Sequence, residues 1–69
     1  MDVMNREELL HAQLDALRLQ HRELDAEITG LVQVSVPDQV LINRLKKRKL
    51  QLKDQMARIE DQLYPDIIA

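Results

Sequence analysis

The sequence predicts an all-α protein: an antiparallel, coiled-coil-like two-helix hairpin that dimerises into a four-helix bundle. Three observations predict it. Two long stretches place apolar residues at alternating spacings of three and four, the pattern of a helix that contacts one neighbour along a seam. Between them lies a short stretch bounded by Gly30 and Pro37, the two residue types that interrupt helices most strongly. The composition is dominated by Ala, Leu, Glu, Lys, Arg and Gln, with Tyr64 the single aromatic residue.

Sixty-nine residues make one small domain, read here as residues 1–69. A chain of this size buries little apolar surface when it folds alone. It has no cysteine to staple it with a disulfide or a thiolate metal site, so self-association is the remaining common remedy. The net charge of −2 points neither toward nor away from nucleic acid. No run is long and apolar enough to span a membrane, and Asp2, Glu7 and Glu8 do not suit a secretory signal. The expectation is a cytoplasmic protein with no membrane partner.

The first helix is expected over about 5–29. Asn5 suits the N-cap, and Glu7 and Glu8 place negative charge where the helix dipole favours it. Its seam is Leu10, Leu14, Leu17, His21, Leu24 and Ile28. Thr29 and Gly30 are expected to end it. The linker, about 30–37, contains Leu31-Val32-Gln33-Val34-Ser35-Val36, an alternation of apolar and polar residues. It reads either as an ordered loop whose valines cap the hairpin end, or as a short strand that pairs with a second copy, because a lone strand has no partner in a monomer.

The second helix is expected over about 38–63, with Pro37 in its first turn and Asp38 or Ser35 as its cap. Its seam is Ile42, Leu45, Lys49, Leu52, Met56, Ile59 and Leu63, and Tyr64-Pro65 stops it. The short tail, 64–69, is apolar enough to fold back onto the helices. Folding the chain back pairs Ile28 with Leu45, Leu24 with Lys49, His21 with Leu52, Leu17 with Met56, Leu14 with Ile59 and Leu10 with Leu63. The same register brings Asp25 near Lys46 and Lys53, Glu27 near Arg48, and Arg18 near Glu60.

His21 and Lys49 are polar members of an otherwise aliphatic seam. Lysine can bury its stem and keep its head in water, and polar seam residues fix register and oligomeric state at some cost in stability. A pH-sensing or ligand role for His21 is the competing reading. His11 lies elsewhere on the helix surface and does not form an i,i+4 metal pair with His21. No metal or cofactor is expected.

A second repeat, Leu9, Ala12, Ala16, Leu19 and Ala26, runs along the opposite side of the first helix, and the second helix adds Leu50 and Ala57 away from its seam. A helix that is apolar on two sides contacts two neighbours, so these residues form the expected homodimer face. Arg44, Lys46, Lys47, Arg48 and Lys53 are candidate phosphate contacts for a nucleic-acid-binding alternative. On a helix they spread around the surface, and no stacking aromatics accompany them.

No catalytic residue is assigned. The sequence holds no Ser/His/Asp or Cys/His arrangement and no glycine-rich phosphate loop, and Asp15, Glu23, Asp25 and Glu27 read as solvated helix faces. The expected function is a small non-catalytic interaction or scaffold module, with a protein partner or a second copy.

Two segments carry a family resemblance. His21-Arg22-Glu23-Leu24-Asp25-Ala26-Glu27-Ile28 and Arg44-Leu45-Lys46-Lys47-Arg48-Lys49-Leu50-Gln51-Leu52-Lys53-Asp54-Gln55-Met56 resemble the two signature blocks of the YdcH-like family of small bacterial proteins. The resemblance covers most of residues 10–60. It implies a helical hairpin in a bacterial cytoplasm and brings no settled activity. The linker departs from the family pattern, being more apolar than a plain polar turn.

Overall fold

The computed structural model describes residues 5–64. Two helices, α1 (Arg6–Val32) and α2 (Gln39–Leu63), fold back on each other, and there is no strand among the described residues.

Each helix begins on a side-chain cap. The Asn5 Oδ1 accepts a hydrogen bond from the Glu8 N–H at 2.8 Å, and the Asn5 Nδ2 donates to the Glu8 Oε1 at 3.1 Å, a reciprocal arrangement that fixes the first turn. The Asp38 Oδ1 accepts from the Leu41 N–H at 3.1 Å. Asp38, not Ser35, is therefore the cap of α2. Pro37 precedes that cap instead of occupying the first turn.

The first helix does not stop at Thr29 or Gly30. It continues through Leu31 to Val32 and closes on Gln33, whose N–H donates to the Gly30 carbonyl at 3.3 Å. Gly30 has no left-handed backbone and sits inside the helix. Leu31 supplies the reason. It follows Ile28 at a spacing of three, the next seam position, and its side chain is partly covered. Fully burying a leucine is worth about 1.5–3 kcal/mol, so even the partial cover of Leu31 offsets the roughly 1 kcal/mol a helical glycine costs. The alternating valines consequently form no strand: Val32 ends the helix and Val34 and Val36 lie in the turn.

The second helix ends at Leu63, with the Tyr64 N–H donating to the Glu60 carbonyl at 2.8 Å. The expected fold-back of the tail falls on residues 65–69, outside the described residues.

The helices pack along one line. Leu10, Leu14, Ile28, Ile42 and Leu52 are buried there, and no polar or charged side chain among the described residues is. Three polar contacts cross the hairpin: Asp25 to Lys49, Arg18 to Glu60, and Arg6 to Gln62. Arg18 meets Glu60 as the sequence register expects, whereas Asp25 meets Lys49 and not Lys46 or Lys53, because the seam lysine reaches across the hairpin.

Candidate interaction faces

Among the described residues the covered side chains are Leu10, Leu14, Leu17, His21, Leu24, Ile28 and Leu31 on α1, and Leu41, Ile42, Leu45, Lys49, Leu52, Met56, Ile59 and Leu63 on α2. All the residues of the expected seam are thus covered or partly covered. Leu31 and Leu41 join them. Leu31 was legible, since it extends the three-and-four repeat; the glycine before it hid the continuation.

Two helices side by side form a single layer, 14 Å through its shortest axis. Such a layer has two broad faces, and here they differ in chemistry. In a seam repeat, one row of covered residues leans toward one face and the other row toward the opposite face. His21, Lys49 and Met56 belong to one row. With Arg18, Lys53 and Glu60 they line a shallow groove on the first face, together with Leu50 and Ala57. This is a charged face.

Ion pairs organise it. The Lys49 Nζ lies 2.6 Å from the Asp25 Oδ1, reaching across the hairpin from its seam position. Accepting this hydrogen bond, and the attraction of the ammonium itself, hold the Asp25 carboxyl below its ordinary value of 3.8, with a smaller contribution from His21. Arg18 stands 3.8 Å from Glu60 and 3.9 Å from Asp15. All these side chains are substantially open to water, so the pairs set geometry more than stability.

Leu17, Leu24, Leu52 and Ile59 belong to the other row. They line two grooves on the second face. Gln13, Ala16, Gln55 and Arg58 rim one groove; Gln20, Glu23, Glu27 and Arg48 rim the other. Arg6 and Gln62, hydrogen-bonded at 3.1 Å, continue the same rim toward the chain ends. The residues immediately preceding each seam turn on this face are Gln13, Gln20 and Glu27 on α1, and Arg48, Gln55 and Gln62 on α2. This second face is an aliphatic row bordered by Gln13, Gln20, Gln55 and Gln62 and by charges of both signs, Arg6, Glu23, Glu27, Arg48 and Arg58.

The face read from the sequence as the dimer surface lies elsewhere. Leu9, Ala12, Ala16, Leu19 and Ala26 are all exposed, along the outer edge of α1, with Leu9 and Leu19 about half open at 48% and 52%. Only Ala16 also borders the aliphatic face. The candidate phosphate contacts Arg44, Lys46, Lys47, Arg48 and Lys53 are exposed and divided. Lys53 lies on the charged face and Arg48 on the glutamine face, so the run does not gather into one cationic patch.

His11 is exposed and apart from His21, and no group of three or more His, Cys, Asp or Glu side chains among the described residues could hold a metal ion. No helix among them is long and apolar enough to cross a membrane.

A family model described as a protein of unknown function, DUF465, matches residues 11–60. No curated protein and no solved structure matches the chain.

Proposed function

The chain belongs to the DUF465 family of uncharacterised proteins, and we propose that it is a non-catalytic interaction module that associates with itself as a four-helix bundle. One observation carries this reading: most of the aliphatic side chains along the hairpin contact are only partly covered, leaving an apolar row open on one face of a thin layer. Two helices joined by one seam cannot close that row. A second helical layer can.

The two blocks that resemble the YdcH-like family lie inside the matched stretch, which supports placing the chain with that bacterial, cytoplasmic group. The charged face would then point outward, available to a protein partner.

The test is sedimentation of the purified protein, followed at 260 nm as well as in the far ultraviolet. A dimer mass without 260 nm absorbance is expected. Strong 260 nm absorbance travelling with the protein would instead favour phosphate-backbone binding through Arg44, Lys46, Lys47, Arg48 and Lys53.

A further inference from the structure

The self-association just proposed leaves open which face closes and with what symmetry, and the rim residues decide both. We propose that a second copy covers the glutamine-bordered aliphatic face, related by a twofold axis that runs parallel to the helices. This rests on the self-association reading and makes it specific.

The chemistry of the face supports a second copy as occupant. Isologous contacts must be self-complementary: what one surface offers, the same surface must accept. A glutamine amide both donates and accepts hydrogen bonds, so a glutamine row satisfies its own image without net charge. The opposite face carries Arg18, Lys49, Lys53 and Glu60, and covering it would take from water charges that the Arg18–Glu60 and Asp25–Lys49 pairs already match within one chain.

The charges on the rim select the axis. A twofold parallel to the helices keeps each residue at its height and lays α1 over the α2 of the second copy. Gln13 then faces Gln62, Gln20 faces Gln55, and Glu27 faces Arg48, twice by symmetry. A twofold across the helices lays α1 over α1 instead. It reverses height, so Glu27 no longer lies over Arg48. The parallel axis thus makes two glutamine pairs and the Glu27–Arg48 pair, each twice; the crossed axis makes none of these three. It also alternates chain directions all round the bundle and puts both hairpin tips, with exposed Val34, Val36 and Val40, at one end.

The chain has no cysteine, so single cysteines report proximity cleanly. Gln20→Cys and Gln55→Cys chains mixed under mild oxidation should cross-link mainly to each other. A dominant Gln20→Cys homodimer would overturn the parallel axis, because only the crossed axis stacks the middle of α1 on itself. Sedimentation supplies the second arm. Glu27→Arg and Arg48→Glu should each lose the dimer mass, and an equimolar mixture should recover it. Far-ultraviolet circular dichroism checks that each variant stays helical, and both substituted positions are exposed in the single hairpin. Dimers that persist in both variants but dissociate in Leu19→Glu would move the interface to the outer edge of α1 and overturn the face, while self-association stands. A monomeric wild type would overturn self-association itself and leave the aliphatic face to the chain's own tail or to another protein.

Discussion

Single residues in this hairpin fall into those that terminate, those that cover and those that pair. Gly30 is the most informative. It occupies a helix interior with ordinary helical backbone, and a β-carbon built on it meets nothing within 4 Å. Gly30→Ala should therefore stabilise the protein by about 0.5–1 kcal/mol, read as a rise in thermal midpoint. A fall would mean the glycine has a conformational role that this backbone does not show. Asn5 is the converse case. Asn5→Ala removes the acceptor for the Glu8 N–H and should cost about 1 kcal/mol.

The Asp25–Lys49 pair carries a pH signature. The Asp25 carboxyl is held below 3.8 in the folded chain, so its contribution is present above that value and fades as pH falls through the lower folded value. Asp25→Asn should lower the thermal midpoint slightly at neutral pH, and the gap to wild type should close in acid. A gap that is constant with pH would show that the pair contributes nothing through charge.

At the scale of the helix, the seam explains both what the sequence revealed and what it concealed. Regular alternation from Leu10 to Ile28 and from Ile42 to Leu63 specifies two helices and their facing rows, because burying those rows dominates the energetics. The end of α1 was harder to read. Glycine and alternating valines are local signals for a stop, whereas Leu31 gains its burial from the other helix, and tertiary burial outweighs local preference. The distinction between the two faces was also present in the sequence, as glutamines recurring at seven-residue intervals at Gln13 and Gln20 and again at Gln55 and Gln62. The repeat of Leu9, Ala12, Ala16, Leu19 and Ala26 is exposed in the single hairpin, and alanine is apolar by composition yet equally at home on a solvated helix surface. Positions on one helix should also rank by coverage. Leu14 is nearly sealed, at 2% exposure, and Leu14→Ala should cost roughly 2–5 kcal/mol; Leu31→Ala, at a less completely covered position, should cost less. Chemical denaturation of both variants checks the order.

For the whole molecule the deciding quantity is how little is enclosed. Five buried side chains among the described residues make a small core, and folded domains are only marginally stable even with larger ones. If a second copy completes the core, folding and association are linked by mass action. The thermal midpoint should rise as protein concentration is raised from micromolar to millimolar. A midpoint independent of concentration would mean that the single hairpin is self-sufficient. The same linkage predicts that variants weakening the interface lower the midpoint most at low concentration.

The turn has a temporal consequence as well. At the turn, Val32 and Gln39 bring the two helices together across a very short stretch of chain, while the start of α1 and the end of α2 are separated by nearly all of it. Closing a loop of roughly ten residues takes only ~10–100 ns, so the cheapest first encounter is at the turn. From there each further seam contact adds to a pair already held in register, and the structure closes like a zipper toward its open end. Opening runs in reverse. Amide protons near the caps at Asn5 and Tyr64 should exchange with deuterium soonest, and those around Ile28 and Ile42 last, a gradient of protection written along the length of each helix.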